Sequence, residues 1–126
     1  MVENVIPIEL AEHRELVRLR TQLERCWCAE TSFWPQAWTP EIPSVGQCAV
    51  TAAVVFDRFG GEIRRAVNQE VLHYWNLLNG FDVDLTRDQF TRWAPGEVEP
   101  IGRDALLTSG PTLAGRHQRL VALLSQ

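Results

Sequence analysis

"EVLHYWNLLNGFDVDLT", residues 70–86, is the stretch whose reading decides the fold. Asn79-Gly80 is the preferred dipeptide of a two-residue type I′ turn, and β-forming residues flank it on both sides. A hairpin follows, and the turn dictates its register: Leu78 opposite Phe81, Leu77 opposite Asp82, Asn76 opposite Val83, Trp75 opposite Asp84, His73 opposite Thr86. Side chains alternate between the two faces of a strand. Tyr74, Asn76, Leu78, Phe81, Val83 and Leu85 therefore share one mostly apolar face, and His73, Trp75, Leu77, Asp82, Asp84 and Thr86 share the other. On that second face His73 and Asp84 are diagonal neighbours, about 7–8 Å apart between backbones and within reach of converging side chains. With "EIRRAVNQ" upstream, strands are predicted at roughly 62–68, 71–78 and 81–86.

Working outward, "GQCAVTAAVVFDRFGG", residues 46–61, is apolar nearly all round from Cys48 to Phe59. So little polar surface marks a buried helix, and Gly60-Gly61 supplies its stop. This is the predicted central helix. From Ile8 to about Ala29, Leu16, Leu19, Leu23 and Trp27 recur at helical spacing among arginines and glutamates. Between the two helices, "TSFWPQAWTPEIPSVGQ" holds three of the seven prolines and two of the five tryptophans. Prolines remove backbone donors and restrict their predecessors, so residues 31–47 are predicted as an irregular loop pinned by aromatic side chains. Ordered loops of such length are often functional. Beyond Thr86, "RDQFTRWAPGEVEPIGRD" is turn-rich, with Asp84 or Thr86 capping a short helical turn through Phe90. From Pro111 a final helix places Leu113, Leu120, Val121 and Leu124 on one stripe. The expected architecture is a single α+β domain over residues 1–126, with a central helix against a small antiparallel sheet and N- and C-terminal helices.

Composition narrows the function classes. At 126 residues the chain can bury a core without disulfides or a metal. A net charge of −4 argues against a nucleic-acid binder or a protein held on an anionic membrane. The cations are twelve arginines and no lysine, which excludes Schiff-base and lysine-base mechanisms. The N-terminus lacks the basic start and uninterrupted apolar stretch of a signal peptide, and no run approaches the roughly 18 apolar residues of a membrane span. A cytoplasmic protein is expected. Its three cysteines fit a reducing compartment and are read as thiols.

A thiol turns nucleophilic when its pKa falls, and a helix start promotes this through free N–H groups and the macrodipole. Cys48 is placed for that effect. A histidine within reach would complete a thiolate–imidazolium pair, and a carboxylate on its far nitrogen would hold the ring. His73 and Asp84 are the candidates for those roles, and together the three residues suit acyl transfer. The oxyanion needs donors: the Cys48 N–H is the first, and Gln47, Trp34 or Trp38 the second. Trp75 and Asn76, next to His73, complete the candidate substrate-binding set, although Trp75, like Trp27, also suits the core. A core-filling Cys48, a structural His73 and a turn-capping Asp84 are the competing readings, and the agreement of three positions weighs against them. No metal site is expected, because Cys26 and Cys28 point to different faces of a helix. No role is assigned to His13 or His117, and Arg64 and Arg65 are read as solvated charges.

"CWCAETSFW", "GQCAVTAAVVFDRFGGEIRR" and "HYWNLLNGFDVDLTRDQF" together resemble the YunG-like family of small bacterial proteins, over roughly residues 16–93. More distantly, the order of Cys, then His-Tyr-Trp-Asn, then Asp in "VDLT" resembles the transglutaminase-like core of the papain-like superfold. That resemblance implies a cysteine at the start of a central helix, with histidine and aspartate on neighbouring strands. Carried over residue by residue, it implies Cys48 as nucleophile, His73 as general base and acid, and Asp84 as its orienter. The leading expectation is a cysteine-dependent hydrolase or acyltransferase acting on a small-molecule or peptide amide, ester or thioester, with no cofactor. The alternatives are a non-catalytic binding or accessory protein of papain-like fold, and a cysteine-dependent lyase or isomerase.

Overall fold

The computed structural model describes residues 2–126. Asn79 and Gly80 have φ of 51° and 82°, the two left-handed residues that a type I′ turn demands. Strand β2 (Val71–Leu78) therefore pairs with β3 (Phe81–Val83) in the expected register, Leu78 with Phe81, Leu77 with Asp82 and Asn76 with Val83. On its other side β2 pairs antiparallel with β1 (Glu62–Asn68), from Glu62 against Leu77 to Asn68 against Val71. The connecting turn is made by Gln69 and Glu70, both left-handed without glycine, at φ of 51° and 66°.

β3 is shorter than predicted and ends at Val83. The reason lies in the N-terminal segment: Asp84 exchanges both backbone hydrogen bonds with Val5, at 2.8 and 2.9 Å, and leaves β2. The pairs Trp75–Asp84 and His73–Thr86 are consequently absent from the ladder. A fourth strand, β4 (Glu99–Ile101), pairs with β1 and completes the order β3-β2-β1-β4. It lies in the stretch expected to hold turns, and the short helix α3 (Arg103–Leu107) begins at the end of that stretch and runs on into residues for which no element was predicted. A three-residue strand containing Pro100 has too few alternations to register as a periodic signal.

Helix α1 (His13–Cys26) buries Leu16, Leu19 and Leu23. It begins later than Ile8, behind turns closed by Leu10 N–H on Pro7 O and His13 N–H on Leu10 O, and it ends where Trp27 turns extended. Trp27 is buried, and its indole N–H donates to Thr51 Oγ1 at 3.0 Å, tying α1 to the next helix. That helix, α2 (Cys48–Phe59), buries every residue from Ala49 to Val55 and packs on β2. It is the central helix. Helix α4 (Leu113–Leu124) turns Leu113, His117 and Leu120 inward, while Val121, predicted on the stripe, is 41% exposed. The inward face follows i, i+4, i+7 spacing, and His117, which lies on that stripe in the sequence as well, belongs to it while Val121 does not. α1, α2, α3, α4 and the sheet contribute to one apolar cluster. Among the described residues, no helix is long and apolar enough to cross a membrane.

Candidate active site

Cys48 opens α2, and the residues before it determine how it is presented. Gly46 has φ of 76°, and a Cβ there would run into Ser32 Oγ and crowd the backbone nitrogens of Phe33 and Trp34. Only glycine permits that approach. Phe33 N–H donates to Gly46 O at 2.8 Å, and Ser32 Oγ donates to Val45 O while accepting from Trp34 N–H, each at 3.0 Å. Gln47 is fully buried, its Oε1 accepting from Thr31 Oγ1 at 2.8 Å and its Nε2 donating to Cys28 O at 3.0 Å. The loop is thus latched to the helix start. Cys48 is half-buried and lines a cavity of about 750 Å³, walled largely by Phe33, Trp34, Leu72, Tyr74, Phe90 and Leu113.

β2 supplies His73, which is 0% exposed. Its Nε2 lies 2.6 Å from Asp84 Oδ2. The contact expected from the hairpin is present, but the Val5 bridge and the turn after it bring the carboxylate there, rather than a β3 running to Thr86. Asp84 is 1% exposed and fully engaged: Oδ2 also accepts from Arg87 Nε at 2.9 Å, and Oδ1 from the Thr86 N–H at 3.1 Å and hydroxyl at 3.4 Å. Thr86 precedes the 3₁₀ turn Arg87–Gln89, and the Asp84 carboxylate takes its N–H. The same turn is tied to the Cys48 loop by Gly46 N–H, which donates to Gln89 Oε1 at 3.4 Å.

The imidazole sits in an aromatic box. Trp75 stacks on it with centroids 5.8 Å apart, and the rings of Phe90 and Trp93 meet it at steep angles, at 4.8 and 5.5 Å. Arg87 lies 3.8 Å over the Trp93 ring. Buried Asn68 holds the Trp93 segment, donating to Arg92 O at 3.0 Å and accepting from Ala94 N–H at 2.7 Å. Burial by itself would push the imidazolium down, but hydrogen bonding and charge from Asp84, and then from Cys48, carry His73 from 6.5 up to about 9. Among the described residues Nδ1 is buried and has no hydrogen-bond partner; Cys48 is near enough to help raise the pKa of the ring.

Of the five residues predicted around the triad, Trp34 lines the cavity. Gln47 has both ends of its amide engaged in the loop latch. Trp38 donates its indole N–H to Pro43 O at 2.9 Å and lies outside the cavity lining. Trp75 is buried behind His73, its N–H on Asp82 Oδ1 at 3.0 Å. Asn76 is also buried and donates to Ala52 O at 3.0 Å, which fastens β2 to α2. Four site residues went unread in the sequence: Arg87, Phe90, Trp93 and Arg116. Arg87 follows Asp84 at three residues' spacing, a signal that was available once the turn was placed. Arg116 reaches the cavity from α4, and nothing local announces it. Among the described residues, no group of three or more His, Cys, Asp or Glu side chains is gathered for a metal ion.

The model of the family described as YunG protein matches residues 15–124. That match takes in the tail after Trp93, where the sequence resemblance had stopped. An uncharacterized protein YunG of Bacillus subtilis (strain 168) is 42% identical over 79 residues, covering 63% of this chain and 64% of that protein. The alignment thus spans a little under two thirds of either chain. No solved structure matches.

Proposed function

This chain belongs to the YunG family, and we propose that it is a cysteine-dependent hydrolase or acyltransferase working through an acyl-enzyme on Cys48. Its substrate is an amide, ester or thioester. One observation carries the proposal: His73 is held through Nε2 by a buried carboxylate, its pKa is raised to about 9 by Asp84 and by the cavity-lining Cys48, and its remaining nitrogen is left without a hydrogen-bond partner. A cysteine opening the central helix, a histidine on the adjacent strand and an aspartate just past the next one support a papain-like, transglutaminase-like core.

In this reading Cys48 and His73 work as a thiolate–imidazolium pair. The sulfur attacks the substrate carbonyl carbon, and the carbonyl electrons move onto oxygen. The Cys48 N–H, at the first position of α2, faces that oxygen, and the indole N–H of Trp34, which makes no hydrogen bond among the described residues, is the second donor. The oxyanion collapses, the bond to the leaving group breaks, and His73 Nδ1–H gives its proton to the departing amine, alcohol or thiol. The now neutral Nδ1 takes a proton from water or an amine as that acceptor attacks the acyl carbon. Release of the acid or new amide returns the electron pair to sulfur and leaves the proton on Nδ1. Asp84 holds the ring through both steps.

The complete burial of His73 favours a second reading, a non-catalytic protein that binds an apolar ligand in the same cavity. Alkylation separates the two. Under the catalytic reading iodoacetamide modifies Cys48 faster than a free thiol at about pH 6, and His73→Ala abolishes the advantage. Activated esters leave an acyl adduct on Cys48 that mass analysis detects and Cys48→Ala lacks. A rate no faster than a free thiol and unchanged by His73→Ala overturns the proposal. Fast alkylation with no acyl adduct instead points to a lyase or isomerase.

A further inference from the structure

We infer that the acyl group accepted beside Cys48 carries a carboxylate on an apolar arm, and that Arg116 on α4 receives it. The inference rests on the reading of Cys48 as the nucleophile. Arg116 lines the same cavity as Cys48 and is positioned by two contacts that leave its charge unanswered. Its Nε donates to Thr112 Oγ1 at 3.1 Å, at the N-cap of α4, and its guanidinium lies 5.5 Å over the ring of Phe33. Neither contact is an anion. Nη1 is buried without a hydrogen-bond partner, and among the described residues Arg116 forms no ion pair.

A partly desolvated guanidinium with unmet N–H donors is an unfavourable arrangement for a folded protein, and an arriving anion relieves it. Burial pushes Arg116 down from its ordinary value, while the Cys48 sulfur acts in the opposite direction, which places the two groups within electrostatic reach of one another. The other charges at the cavity do not compete for an anion. Arg65 is neutralised by Glu99 at 2.7 Å, and Glu70 is an exposed acid. One unpaired cation in an apolar cavity matches a monoanion. A carboxylate meets the planar fork of a guanidinium with paired hydrogen bonds, whereas a phosphate dianion would leave uncompensated charge among Phe33, Leu72, Tyr74 and Leu113. The apolar walls account for the arm between the reacting carbonyl and the carboxylate.

The test uses covalent probes, so that turnover is not required. Iodoacetamides bearing a short or a long alkyl arm ending in a carboxylate are compared with their methyl esters. Labelling of the Cys48 peptide is followed by mass spectrometry, with glutathione as the reference thiol. For at least one arm length, the carboxylate-to-ester rate ratio at Cys48 exceeds that of glutathione by roughly tenfold at low ionic strength, the worth of one charge-assisted pair. The excess shrinks with added salt, disappears in Arg116→Gln and survives in part in Arg116→Lys. If Arg116→Gln does not fold, Arg116→Lys and the salt dependence decide. A fast Cys48 whose ratio equals that of glutathione for both arms, or is untouched by Arg116→Gln, overturns this inference alone. A Cys48 as slow as glutathione with every probe overturns the nucleophile reading and this inference with it.

Discussion

The raised pKa of His73 makes stability itself a report on the candidate triad. The unfolded chain returns this imidazole to 6.5, and the folded protein holds it at about 9. Below 6.5 the ring is protonated in both states, and its preference for the folded state is fully expressed. As pH rises from 6.5 toward 9 the unfolded state gives up its proton first, so the folded state binds more protons and stability falls. At about 1.4 kcal/mol for each pH unit between the two values, the protein should lose roughly 3 kcal/mol across that window from this group. The assay is urea denaturation at a series of pH values, in reducing buffer, on the native protein and on His73→Gln. Subtracting the two curves removes contributions common to both, among them that of Cys26, whose thiol burial pushes up. The difference should be largest in favour of the native protein at the acid end and decline through neutrality. A difference that is level, or that grows between pH 6.5 and 9, would refute the buried imidazolium and the ion pair built on it.

Asp84→Ala leaves Arg87 and His73 without their shared anion, and removing one partner of a buried pair costs about 3–5 kcal/mol, read from the urea midpoint. Asp84→Asn should cost less, because an amide oxygen can still accept from the Thr86 N–H; equal losses would place the effect elsewhere. Gly46→Ala forces a side chain into a left-handed position already occupied by Ser32 Oγ. A destabilisation of roughly 1–3 kcal/mol or more is expected, together with faster proteolytic cleavage within residues 31–47, and unchanged cleavage would show that the latch does not depend on this glycine.

Much of the arrangement was open to reading because it is local. Asn79-Gly80 permits one common turn, and the turn then dictates which residues of β2 and β3 face each other. The apolar run after Cys48 admits one element, and Gly60 closes it at φ of 74°. His73 and Asp84 could be brought together on paper for the same reason. The route between them could not, because Val5 determines where β3 ends, and it lies some eighty residues away in sequence from Asp84. Trp38 and Asn76 were named for their chemistry, but their donors are bound to Pro43 and Ala52 in the folded chain. Which hydrogen bond a side chain makes depends on neighbours that no short window contains.

The sequence by itself determined the hairpin register, the buried central helix and the position of Cys48 at its start, since turn geometry and hydrophobic periodicity act over a few residues. Tertiary structure alone decided that Arg87 shares Asp84 with His73, that Asn68 holds Trp93 against the ring, and that Arg116 stands unpaired in the cavity. Arg87 and Trp93 belong to the segment after the hairpin, Asn68 to the end of β1 and Arg116 to the last helix, brought to the site by packing rather than by pattern. Asp84 and Cys48, the groups that tune His73, were legible in the sequence; the contacts that hold them in place become visible only when the whole chain is closed upon its core.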